Sequence, residues 1–73
     1  MNIENLEEAQ ELGTELKRLA KARGFILDGG VVKACNANNY NQYAEIEDSE
    51  IKEKLADAIT RRIEDIHNRI KEL

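Results

Sequence analysis

Two stretches of this chain repeat apolar residues at helical spacing, and the stretch between them does not. From Glu4 to Arg23, apolar or small residues recur at Leu6, Ala9, Gly13, Leu16 and Ala20, and Leu12 and Leu19 widen that line to the face of a core helix. Asn2 or Asn5 can cap this helix, and Asn5 with Glu8 three residues later forms a variant of the capping box. Gly24 supplies a stop. Gly13 costs about 1 kcal/mol relative to alanine in a helix interior. Its place on the seam points either to a second backbone passing close by or to a tolerated glycine with no packing role.

The second helical stretch is predicted from Ser49 to Leu73, with Asp48 or Ser49 as cap and Glu50 in the first turn. Ile51, Leu55, Ile59, Ile63, Ile66, Ile70 and Leu73 form a continuous stripe, and its last part settles into heptads with Ile63 and Ile70 at a and Ile66 and Leu73 at d. A terminal stripe of that kind calls for a helical partner. Ile59, Ile63, Ile66, Ile70 and Leu73 are therefore the expected contacts between subunits.

Between the helices, "FILDGGVVKAC" reads as a β-hairpin over residues 25–35, because Gly29-Gly30 accepts the positive φ angles of a two-residue primed turn. That register sets Leu27 opposite Val32 and Phe25 opposite Ala34, with all four on one face. A polar loop follows over residues 36–43, and a third short strand could run from Tyr43 to Ile46. The expected fold is α+β and mostly α, an α-β-β-α chain with two long antiparallel helices in one domain, assembling as an oligomer.

Charge favours the antiparallel arrangement. The first helix opens with Glu4, Glu7, Glu8 and Glu11 and closes with Lys17, Arg18, Lys21 and Arg23, whereas the second begins acidic and turns mildly basic after Arg61. Such surface pairs are each weak, so they bias orientation and add little stability.

Size adds a constraint. At 73 residues a single core is near its lower limit, and one cysteine with no Cys/His cluster provides neither a disulfide nor a metal staple. Oligomerisation is the remaining means of support. The lone cysteine, the lack of an N-x-S/T sequon or apolar leader, and the absence of a long apolar run imply a cytoplasmic protein with no membrane partner. A net charge of -4 disfavours direct binding to a nucleic-acid backbone.

Candidate chemistry is sparse. His67 lies beside the terminal seam without a nucleophile and orienting acid to serve. Cys35 is expected as a small buried side chain. Asp48 with Glu50, and Glu64 with Asp65, are accounted for by a helix start and a solvated face, so no catalytic or metal-binding residues and no cofactor are expected. Gly29-Gly30 lacks the lysine and glycine spacing of a phosphate loop. Arg61 and Arg62 flank the apolar stripe, where planar guanidinium groups suit carboxylates and phosphates.

The segment "NANNYNQY", Asn36 to Tyr43, contains four asparagines, one glutamine and two of the three aromatic residues of the chain. Asparagine stabilises turns by bonding its own backbone, which makes a self-satisfied loop one reading. The other is recognition, in which amides and tyrosine rings beside arginines suit a nucleotide-sized ligand. On that reading the binding residues are Asn36, Asn38, Asn39, Tyr40, Tyr43, Arg61 and Arg62.

The order "LEEAQELGTELKRL", then a Gly-rich hairpin, then "IKEKLADAITRRIEDIHNRIKEL" resembles small phage-encoded helix-hairpin-helix proteins, including ones that act against bacterial immunity. That resemblance implies a non-enzymatic oligomer that sequesters a cyclic or ADP-ribose-type signalling nucleotide in the host cytoplasm. The alternatives are an acidic protein inhibitor that occupies the nucleic-acid-binding surface of a defence effector, as CRISPR inhibitors do, and a structural dimerisation module.

Overall fold

A computed structural model describes residues 3–73, in the order α1 (Ile3–Leu27), β1 (Val32–Asn36), β2 (Asn39–Ile46) and α2 (Ser49–Glu72). The expected α-β-β-α architecture is present: two long helices pack together and an antiparallel hairpin joins them. Ion pairs fix their direction. Arg69 meets Glu8 at 3.1 Å and Arg62 meets Glu15 at 3.7 Å, so going up α1 means going down α2.

The packing line between the helices is narrow. Leu12, Ala56 and Ile66 are buried, Ile66 most deeply with 2% of its surface exposed. Leu16, Leu19 and Ile26 on α1, Ile59, Ile63 and Ile70 on α2 and the α2 C-cap Leu73 are half-buried. The α2 stripe thus finds its helical partner within its own chain, and Ile66, expected between subunits, is covered by the α1–α2 packing. On α1 the buried line differs from the expected seam. Leu6 and Ala20 are exposed because at about 100° per residue they turn away from the side centred on Leu12 and Leu19.

Helix ends account for the other differences. Asn5 lies inside α1, and Asn2 lies outside the described residues. Gly24 does not stop α1, which continues through Leu27. The stop is a Schellman cap: Gly30 N–H donates to the Phe25 carbonyl at 2.7 Å, Gly29 N–H donates to that of Ile26 at 3.2 Å, and Gly29 takes φ +82°. Gly29-Gly30 is therefore the end of a helix and not the tip of a hairpin. Phe25 and Leu27 are helical, and the expected pairing of residues 25–35 does not form. Glycine permits left-handed backbone in either setting, and the cap wins here because it satisfies the last carbonyls of a helix already packed on α2. Lys52 Nζ reinforces the junction by donating to the Gly30 carbonyl at 3.4 Å.

At α2 the expectation holds. Asp48 is the N-cap, its Oδ1 accepting from the N–H groups of Glu50 and Ile51 at 2.9 and 3.1 Å.

The hairpin lies one segment later than expected. Val32 pairs with Ile46, Lys33 with Glu45, Ala34 with Ala44 and Cys35 with Tyr43, and the supposed polar loop supplies both the turn and the first half of β2. The suggested short strand at Tyr43 to Ile46 is the second half of β2.

Replacing Ile66 with alanine should cost about 3 kcal/mol, as for other buried large-to-small changes. Urea unfolding followed by circular dichroism checks this. Gly30→Ala should destabilise by more than about 1 kcal/mol, because a Cβ there would sit 2.5 Å from the Phe25 carbonyl oxygen. Gly13→Ala, with open space around it, should be neutral or stabilising to the single chain.

Candidate functional site

Side chains in a two-stranded ribbon sort by register. Lys33, Cys35, Tyr43 and Glu45 share one face, and Val32, Ala34, Ala44 and Ile46 share the other. Only Val32 and Ile46, at the base, are half-buried; the rest of both strands is exposed on both faces. The ribbon therefore projects from the helix pair instead of covering it.

Its tip is organised by asparagine. After Cys35 the register breaks, and Asn36 pairs with Asn39 around the turn Ala37-Asn38, leaving Tyr40 to Gln42 as a bulge on β2. Asn36 Oδ1 accepts from Asn38 N–H at 2.9 Å, and Asn39 Oδ1 accepts from Asn41 N–H at 3.0 Å, giving two successive Asx turns. Asn36 Nδ2 donates across the ribbon to Gln42 Oε1 at 2.9 Å. The amides of Asn36 and Asn39 thus serve the backbone of the tip itself. No described non-glycine residue takes positive φ, so the bulge and the side-chain bonds make the reversal without left-handed backbone.

What the tip holds outward is aromatic. Tyr40 is 78% exposed and Tyr43 52%. Lys33 Nζ sits 4.4 Å from the centroid of the Tyr43 ring, a cation–π contact across the strands. Sequence spacing does not mark Lys33 as a binding residue, because it becomes a neighbour of Tyr43 only in the observed register. Cys35 is exposed opposite Tyr43, contrary to the expectation of burial, since a ribbon open on both faces offers it no interior.

The expected site is therefore divided. Asn36, Asn38, Asn39 and Tyr40 gather at the tip, with Tyr43 farther down the ribbon. Arg61 and Arg62 lie on α2, about 18 Å along the helix from Ser49. Arg62 Nε faces Glu15, and among the described residues no hydrogen bond, ion pair or ring contact joins either arginine to the hairpin. His67 is exposed on α2.

Two concavities stand out among the described residues. Glu7, Glu11, Glu15 and Arg18 border an open groove of about 570 Å³ whose walls come from α1 alone. At the junction of α1 and α2, a mainly apolar cleft of about 320 Å³ is lined by Ile26, Leu27 and Ala56 and rimmed by Glu47, Lys52 and Glu53. Among the described residues no cluster of His, Cys, Asp or Glu could hold a metal ion, and no helix is long and apolar enough to cross a membrane.

No known protein family, curated protein or solved structure matches this chain. The reading of the site accordingly rests on its own geometry.

Asn39→Ala should accelerate amide hydrogen exchange at Asn41 while changing global stability by less than about 1 kcal/mol, because the bond it removes is exposed. Exchange monitored by NMR, with urea unfolding alongside, checks both parts.

Proposed function

We propose that this protein acts by assembly and binding, as a homo-oligomer that holds its hairpin out as a recognition surface. Surface area is the observation that carries this reading. The chain exposes 6015 Å², roughly 1,400 Å² more than a compact monomer of its mass would. Its radius of gyration of 15.1 Å exceeds the roughly 11 Å of a compact domain of this length.

The exposed surface includes Phe25, Leu27, Val31, Ile51 and Leu55 around the helix junction, and Tyr40 and Tyr43 on the ribbon. A two-stranded ribbon is marginal in water when it stands alone. Here it also has two free edges and exposed tyrosines, the groups that protein partners use for strand addition and for aromatic anchoring. A protein target therefore suits this shape better than a small molecule, which needs a concave pocket.

Nucleotide sequestration is the second reading, favoured by the Lys33–Tyr43 pair, which combines a cation with a ring face. In that reading Arg61 or Arg62 of one subunit would have to reach the hairpin of another, which only an oligomer permits.

Native mass spectrometry of gently purified protein should show a discrete oligomer without added mass. Extra mass of a few hundred daltons, lost on denaturation, would move the assignment to nucleotide sequestration, and a monomer would overturn both readings. The hairpin is tested separately. A photo-crosslinking residue placed at Tyr40 should trap a target from the native host, and the same residue placed at exposed Glu64 should not.

A further inference from the structure

The two flanks of the helix pair differ. On one flank, Glu8 and Glu15 reach Arg69 and Arg62 and close the groove with ions. The other flank of α1 carries Leu6, Ala9, Gly13, Ala20, Gly24 and Leu27. Leu6, Gly13, Ala20 and Leu27 recur at heptad spacing, and Ala9 and Gly24 fall between them on the same side. Leu6 is 50% exposed and Leu27 61%. A Cβ built on Gly13 or Gly24 would meet nothing within 4 Å, so no contact inside the chain calls for glycine at either position. Glycine is among the worst residues for a helix interior.

We infer that this flank of α1 is the seam of a two-fold dimer, in which α1 runs antiparallel to α1 of a second copy. The inference rests on the oligomer reading above and names its surface. Two observations select a second copy of this chain as the occupant.

First, the stripe is self-complementary. A two-fold axis midway between Leu16 and Lys17 sets Leu6 opposite Leu27 of the partner subunit, Ala9 opposite Gly24 of the partner subunit, and Gly13 opposite Ala20 of the partner subunit. Large residues meet at both ends and small ones throughout the middle, which lets the helix axes approach to the short end of the usual range, about 8 Å. Such an isologous contact closes on itself.

Second, the space and area suffice. The cleft lined by Ile26, Leu27 and Ala56 lies at the level where Leu6 of the partner subunit arrives. The surface excess of roughly 1,400 Å² belongs to the whole chain, ribbon included, and leaves room for the roughly 800 Å² that each partner buries in a standard interface.

The test is sedimentation equilibrium on the full chain and on a Gly13→Leu/Gly24→Leu variant, with circular dichroism alongside. The wild type should be a dimer, and the variant should weaken self-association by at least roughly tenfold while keeping or gaining helicity. Register is tested by mixing Gly13→Cys protein with Ala20→Cys protein, both in a Cys35→Ser background. Oxidation should yield the mixed disulfide dimer and little of either symmetric one. An undiminished dimer in the leucine variant, or a failure to favour the mixed disulfide, would overturn this seam and leave the oligomer reading standing. A monomeric wild type would overturn both.

Discussion

The packing of α1 on α2 around Leu12, Ala56 and Ile66 is the long-range interaction on which every other part of the molecule depends. The hairpin packs mainly on itself, and a two-stranded ribbon has no independent stability to lend. The Schellman cap at Gly29-Gly30, the Asp48 cap and the Lys52 bond to Gly30 all act at the ends of these two helices. They set the angle at which the chain leaves α1 and enters α2, but they have nothing to set unless the helices are already side by side. Three buried side chains form a small core, so the ion pairs flanking it contribute orientation more than strength: both are exposed, and one is long at 3.7 Å.

A narrow seam has a consequence for surface. Two helices packed along one line leave most of each helix uncovered, and a projecting ribbon adds more exposed area. Larger proteins bury such faces in a third layer. The described residues form two helices and a ribbon, and the dimensions of 44 × 28 × 14 Å are those of a slab. Apolar residues at the junction, leucines at both ends of the open flank of α1 and tyrosines on the ribbon are what such a slab presents to a neighbour. The proposed dimer would thicken the slab into two helical layers and leave the ribbon tips free.

The hairpin tip shows how a polar segment can be both structured and available. Asparagine side chains replace backbone partners in two successive Asx turns, so the turn holds its shape without an apolar core beneath it. Because the amides of Asn36 and Asn39 are used in this way, the proposed recognition would rest on side chains not so engaged, Tyr40, Tyr43 and Lys33 among them. The self-satisfied loop and the proposed recognition element thus concern different side chains of the asparagine-rich stretch.

Local sequence pattern by itself determined the two helices, their antiparallel charge layout, a cap at Asp48 or Ser49 and the α-β-β-α order, because these follow from local spacing and from side chains within one turn of each other. Asp48 and Glu50 sit in the same turn, and Ile59 to Leu73 repeat at the helical period. Only tertiary structure decided what Gly29-Gly30 does. A primed hairpin turn and a Schellman cap ask for the same left-handed glycine, and the choice depends on whether residues 25–27 gain more by continuing α1 along α2 than by pairing with β1. That choice moved the hairpin by a whole segment, put Lys33 over Tyr43, exposed Cys35 and separated the tyrosines from Arg61 and Arg62. It also decided which face of α1 meets α2. Leu6, Ala9, Gly13, Leu16 and Ala20 look like a core seam in sequence, but the side of α1 centred on Leu12 and Leu19 meets α2, so Leu16 is only half-buried and Leu6 and Ala20 are left exposed.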